Sequence, residues 1–219
     1  MTEPKSKLAG DFKISKVTTI LKKTSWQIKT LMGLGLVVLV FVVMNGPFLW
    51  KNLVFIFHKP INKAVTNQTA NNNVETGQPN IIKIESLGIT APLQYIDKTG
   101  ETEFQKALKE GVVHYPQTAE VGQLGNAYFF GHSSDYLLSD GKFKTVFALL
   151  PRIQKGAEII ISDKAGLVYH YEVTDSHEVS KNDLSVLDQH DNKQKLLTLQ
   201  TSYPVGTALA RWVVIAELK

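Results

Sequence analysis

Among the six histidines of this 219-residue chain, His132 stands where an imidazole can do chemistry. It follows the near-apolar stretch Asn126-Ala127-Tyr128-Phe129-Phe130 and Gly131, and it leads into Ser133-Ser134-Asp135. A histidine at the end of a core strand and the mouth of a loop is both oriented and accessible. Near the other end of the chain, Leu196-Leu197-Thr198-Leu199-Gln200-Thr201 reads as a strand that stops at Ser202. Tyr203-Pro204-Val205-Gly206-Thr207 is turn-like, and Arg211-Trp212-Val213-Val214-Ile215 begins a return strand. An antiparallel return brings Ser202 and Arg211 together. A hydroxyl, a guanidinium and an accessible imidazole make an acyl-transfer set: the hydroxyl attacks, the imidazole moves protons and the cation stabilises an oxyanion. A strand-end serine beside a surface arginine is the competing reading, and residue types alone leave both open.

The other histidines point elsewhere. His170 lies on the polar side of an alternating stretch, His58 near an apolar segment, and His177 and His190 in polar, turn-like surroundings. His114, before Tyr115-Pro116, reads as structural. No histidine pair has H-E-x-x-H spacing, and there is no cysteine, so neither a zinc site nor any other metal or cofactor is expected. The absence of cysteine also excludes disulfides, iron–sulfur clusters and a thiol nucleophile.

The elements that must position these groups occupy the second part of the chain. From Ile81 onward, short β-like runs alternate with turn signals at 81–84, 89–95, 126–131, 157–162, 167–173, 195–201 and 211–218. In 167–173, Leu167, Tyr169, Tyr171 and Val173 share one face, and Val168, His170 and Glu172 the other. Residues 101–109 read as a helix, with acids in the first turn and Phe104 and Leu108 four apart; 143–150 reads as a second helix, stopped by Pro151. Many strands with two short helices point to a closed or nearly closed β-barrel. Hydrophobic content of 43% with 20% charged residues excludes a globally disordered chain.

Upstream, the charge is uneven. Residues 1–30 hold Lys5, Lys7, Lys13, Lys16, Lys22, Lys23 and Lys29 against Glu3 and Asp11, a net of +5, whereas the rest of the chain has a net of −1. The basic character belongs to a tail, so no basic folded face is available for nucleic acid. Between Lys29 and Lys51 lie 21 uncharged residues centred on LMGLGLVVLVFVVM. As a helix, such a run rises about 31 Å, the thickness of a bilayer core. Trp26 and Trp50 flank it as interfacial aromatics do. A cleaved leader would need a small-x-small site after Met44, where the sequence instead reads Asn45-Gly46-Pro47; a buried core helix would need polar residues at helical spacing. The expected organisation is a cytoplasmic basic tail (1–29), one transmembrane signal anchor (30–57) kinked or ended by Pro47, a polar spacer rich in Asn, Thr and Gln (58–80), and a folded domain (81–219). Lysines on the N-terminal side place the N-terminus in the cytoplasm and the domain outside, with membrane lipid as a partner.

Three ordered motifs then resemble one family. Thr198-Leu199-Gln200-Thr201-Ser202-Tyr203-Pro204-Val205-Gly206, followed by Arg211, resembles the sortase signature T-L-x-T-C-x-P-x-G…R. Gly125-Asn126 through Gly131-His132 resembles the sortase G-N…G-H segment, and Gly111-Val112-Val113-His114-Tyr115-Pro116 is similar to the stretch that precedes it. The resemblance covers about residues 80–219, and an N-terminal anchor with a spacer suits the family's layout.

The resemblance implies a closed eight-stranded barrel and a transpeptidase at the outer face of a bacterial plasma membrane. Its substrates would be the sorting-signal peptide of secreted surface proteins and an amine acceptor, a cell-wall peptide or a pilin lysine. By matching positions, His132 is the general acid/base, Arg211 the substrate and oxyanion stabiliser, and Ser202 the nucleophile position. Leu199 and Thr201, from the same signature, become substrate-binding candidates. The chain departs from the pattern at one point: the family nucleophile is cysteine, and position 202 is serine. A thiol with a pKa of about 8.5 is partly ionised near neutrality, whereas a serine hydroxyl is not and depends on a well-placed base. The expectation is a sortase-type transpeptidase with impaired chemistry; the alternative is an inactive pseudo-sortase that binds sorting-signal peptides.

Overall fold

Apolar residues at every second position give strands that bury one face, and strands of this kind follow one another through the second part of the chain. A computed structural model of the protein describes residues 8–57, 75–134, 141–189 and 193–219. His58, His190, Asp135 and most of the expected spacer lie outside the described residues. The strands are β1 (Ile81–Ile84), β2 (Ile89–Tyr95), β3 (Val112–His114), β4 (Gly125–Phe130), β5 (Glu158–Ser162), β6 (Val168–Ser180), β7 (Lys195–Tyr203) and β8 (Ala210–Leu218). They close into a barrel in the order β1-β2-β3-β4-β7-β8-β6-β5. Closure leaves no unpaired edge, as the sequence pattern anticipates.

Most neighbours run antiparallel, but β2 with β3 and β4 with β7 are parallel. A parallel pair needs a crossover. Between β2 and β3 this is helix α2 (Glu101–Glu110), which has Glu101 and Glu103 in its first turn and buries Ala107 and Leu108. The barrel interior is filled by Ile82, Ile84, Phe129, Ile159, Ile161, Tyr171, Leu197, Leu199 and Val214, with Phe147 entering from the β4–β5 connection. The Tyr171 phenol is satisfied inside by the Gly122 backbone N–H, which donates to it at 2.9 Å. Burial pushes that phenol up to about 12.

Three local expectations change. Residues 143–150 are turns that lead into a 3-10 turn at Leu150–Arg152, not an α-helix. The Phe147 N–H donates to the His132 carbonyl at 2.9 Å, so it cannot close an α-helical bond with residue 143. Bonds from Val146 to Phe143 and from Ala148 to Thr145 instead span three residues. Strand β6 runs on to Ser180 because β8 pairs with it as far as Ser180↔Ala210, across an irregularity between Val173 and Asp175. Residues 75–80, read as spacer, are hydrogen-bonded to the barrel: Val168 N–H donates to Glu75 O, Gly77 N–H to Gly166 O and Asn80 N–H to Asp163 O.

The N-terminal part forms one helix, α1 (Leu8–Phe57). It continues through Pro47, so the helix does not stop there. The described side chains from Leu31 to Val43 are all exposed. Among the described residues, no helix is long and apolar enough to cross a membrane. The uncharged run between Lys29 and Lys51 includes positions 44, 45, 47 and 48, whose side chains lie outside the described set.

Candidate active site

Three adjacent strands deliver the three candidate groups. Strands β4 and β7 run parallel with Phe130 opposite Gln200, and the Gly131 N–H donates to the Gln200 carbonyl at 3.1 Å. Two residues further along each strand stand His132 and Ser202. Strand β8 returns antiparallel with Ser202 directly opposite Arg211, the pairing expected from the hairpin pattern. His132, Ser202 and Arg211 all line one cleft of about 380 Å³.

Backbone bonds fix this geometry. The His132 carbonyl is held by the Phe147 N–H, and Val146 and Phe147 crowd the preceding glycine. A Cβ on Gly131 would lie 2.8 Å from the Phe147 ring, so only glycine lets β4 end this close to the core. The Gly206 N–H donates to the Ser134 hydroxyl at 3.0 Å, which joins the β7–β8 turn to the loop after His132. A cis peptide bond at Tyr203–Pro204 lies in that turn. The Arg211 guanidinium donates to the carbonyls of Ala208 and Ala210 at 3.4 and 3.0 Å. No carboxylate pairs with it among the described residues, so its charge is available to an incoming anion.

The remaining candidates divide. Thr201 reaches the cleft lining, but its buried hydroxyl donates to the Gly131 carbonyl at 2.8 Å and so ties β7 to the strand end that carries His132. Leu199 is fully buried in the barrel core and does not line the cleft. Its place in the motif reflects strand alternation, which turns residues 197 and 199 inward together.

Aromatic side chains to which the sequence reading gave no role at the site also line the cleft. Phe104 of α2 packs edge-on against Phe130 with centroids 5.1 Å apart, and Tyr115 packs edge-on against Tyr128 at 6.0 Å. Burial holds the Tyr128 phenol well above its ordinary range, and the nearby Arg211 charge pulls the other way. At the rim, Asp183 is held below the usual carboxylate range by the Ser185 hydroxyl and N–H, which donate to it at 2.6 and 2.9 Å. A larger hollow of about 550 Å³ elsewhere is lined mainly by Leu87, Ile89, Phe143, Val146 and Leu149, and it contains no imidazole.

The other described histidines, His114, His170 and His177, have structural partners. His114 is buried, and its Nε2–H donates to the Ala119 carbonyl at 2.9 Å. Burial holds it below the usual histidine value. His170, read as solvated, stands between Glu75 and Glu158 at 3.1 and 3.2 Å. His177 pairs with Asp175 at 3.0 Å. Among the described residues, no group of three or more His, Asp or Glu side chains is gathered as metal ligands are.

The barrel agrees with comparisons to known proteins. The sortase domain profile matches residues 82–219. No match to a curated protein was found. Among solved structures, the chain is similar to sortase E from Streptomyces avermitilis, with 27% identity over 66% of this chain and 90% of that one and a TM-score of 0.50. The Clostridium perfringens sortase D5 transpeptidase is 24% identical over 68% of this chain and 83% of that one, with a TM-score of 0.52. Sortase A of Listeria monocytogenes shares 21% identity over 64% and 85%, with a TM-score of 0.51. The family's members are transpeptidases that act on sorting-signal substrates and amine acceptors. The family profile covers more than half of the chain and spans every strand that carries His132, Ser202 and Arg211, and so this protein belongs to the sortase family.

Proposed function

We propose that this chain is an acyl-transfer enzyme that cleaves a C-terminal sorting signal and passes the acyl group to an amine, anchoring surface proteins or assembling pili. The observation that carries this reading is the convergence of His132, Ser202 and Arg211 on one cleft at the ends of β4, β7 and β8. The Ser202 hydroxyl attacks the scissile carbonyl and its proton passes to His132, while Arg211 faces the oxyanion. The C–N bond breaks and the leaving amine takes the proton from His132. The acyl group is then an ester on Ser202. An acceptor amine attacks that ester, the C–O bond breaks, and Ser202 recovers a proton through His132.

Ser202 also supports the second reading, a pseudo-sortase that holds sorting-signal peptides without cleaving them. The hydroxyl lacks the thiolate fraction that makes a cysteine nucleophilic without a strong base. One experiment separates the two. The full chain in detergent, as it is and as Ser202→Cys, is incubated with a library of L-P-x-T-G-type peptides and an amine acceptor, and adducts and products are read by mass spectrometry. Turnover by both forms supports a serine enzyme. Turnover by Ser202→Cys alone identifies Ser202 as a silencing residue on an intact site. Saturable binding without product from either form favours the pseudo-sortase, and neither binding nor product overturns both readings.

We further propose that α1 anchors the protein in the bacterial plasma membrane as a single-pass segment, with the basic tail in the cytoplasm and the barrel outside. The uncharged run between Lys29 and Lys51 and the lysines before it support this. In membrane fractionation, the full chain stays with membranes through alkaline carbonate, and a chain lacking residues 1–57 is released. A full chain that carbonate extracts would end the proposal.

A further inference from the structure

The far wall of the cleft is a loop, and two side-chain amides hold it. Lys181, Asp183, Leu184, Val186 and Leu187 line the cleft from the connection between β6 and β7. The described part of this connection contains one 3-10 turn, Ser185–Leu187, and no residue of that turn is buried. Leu184 is 73% exposed. A segment so placed has no apolar core of its own to fix it.

Its ties to the barrel come from Asn126 and Gln189. Asn126 lies on β4 and is 1% exposed. Its Nδ2 donates to the carbonyls of Val186 at 3.0 Å and Asp188 at 3.2 Å. The Gln189 Oε1 accepts the backbone N–H groups of Ala119 and Asn126, each at 3.1 Å. The Gln189 Nε2 donates to the carbonyls of Leu187 at 2.9 Å and Asn126 at 3.3 Å. The side chain of Gln189 thus uses both donors and both acceptor positions, and it stands in for a strand partner beside Asn126. It also links Leu187 to the turn of residues 115–119, whose Tyr115 lines the cleft as well. The Oδ1 of Asn126 is buried and has no protein partner among the described residues. An apolar residue of that size would avoid the orphaned acceptor. It could not reach two carbonyls of the loop.

We propose that Asn126 and Gln189 form an amide clamp that positions the 184–188 wall and thereby sets the affinity of the cleft for its peptide. They are positioning residues, remote from the transferred acyl group, and this inference rests on the peptide-binding reading of the cleft given above. Gln189 also couples the two walls. Loss of the clamp loosens the loop and shifts Tyr115, while the strand ends bearing His132, Ser202 and Arg211 stay in place.

The test uses the full-length Ser202→Cys protein as parent and compares Gln189→Leu, Gln189→Glu and Asn126→Leu. Hydrogen exchange by mass spectrometry follows segment 184–189 and strand β7, and kcat and KM are measured with the library peptide that the parent turns over fastest. In Gln189→Leu and Asn126→Leu, exchange in the segment is expected to rise about tenfold with β7 unchanged, and KM to rise about tenfold with kcat within about twofold. Gln189→Glu keeps the acceptor and should lie between parent and Gln189→Leu. Unchanged exchange, faster exchange with unchanged KM, or a fall in kcat alone overturns the clamp. If the parent neither binds nor turns over any library peptide, the peptide-binding reading fails. Exchange then decides the clamp by itself: acceleration confined to 184–189 supports it, and none overturns it.

Discussion

The two walls of the cleft are built by different means. On one side, His132, Ser202 and Arg211 sit at the ends of β4, β7 and β8, where backbone ladders set each position relative to the next. On the other, residues 184–188 form a loop that two side-chain amides attach to β4. A ladder is shared among many residues, and no single side-chain change removes it. A clamp made of two amides can be released by one substitution. On the proposed reading, the chemistry rests on the wall that side-chain mutation disturbs least, and peptide recognition on the wall that it disturbs most.

The largest effect should appear on the strand-built wall when a reacting group is removed rather than moved. In the Ser202→Cys protein, His132→Ala or Arg211→Ala is expected to lower kcat about 10²- to 10⁴-fold, measured by product formation with a sorting-type peptide. Changes of that size in KM instead, or turnover surviving both substitutions, would break the division of labour between the walls. A second effect tests the packing beneath the same wall. Leu199→Ala should cost about 2–5 kcal/mol in denaturant unfolding, because the side chain is fully buried in the barrel core. A raised KM with unchanged stability would instead return Leu199 to the cleft.

The smallest effect concerns His114 on β3, where burial holds the imidazole below its usual value. The unfolded chain takes up this proton first as pH falls through about 6.5. Stability is thus complete above that pH, declines as pH drops from there toward the lower folded-state value, and levels off below it. Urea midpoints measured between pH 7.5 and 5 should fall for the parent and fall less for His114→Phe. Parallel slopes for the two proteins would remove His114 from the account.

Much of the strand-built wall was legible in the sequence, because apolar runs and turn chemistry are local. The stretch from Leu196 to Ile215 is an apolar run, a turn at Tyr203-Pro204-Val205-Gly206 and an apolar return, and this suffices to pair Ser202 with Arg211. The short strand Val112–His114 escaped because three residues carry no period. The misread helix at 143–150 has helical apolar spacing, but the N–H of Phe147 answers to the carbonyl of His132, a partner that spacing cannot reveal. The clamp was illegible for the same reason: Gln189 lies 63 residues from Asn126, and a lone glutamine in a polar stretch gives no signal. Leu199 shows the converse limit, since a motif position need not face the substrate when strand alternation turns it inward.

The parallel pairing of β4 with β7 also governs when the site can exist. Gly131 and Thr201, joined by a hydrogen bond across that seam, are 70 residues apart in the chain. Until β7 inserts between β4 and β8, the sheet is open along two edges and His132 has no neighbour to act with. Long-range parallel pairing carries a large loop-closure cost and forms slowly. The three candidate groups share a cleft only in the closed barrel, so a chain still short of its final hairpin has most of its strands and lacks the cleft.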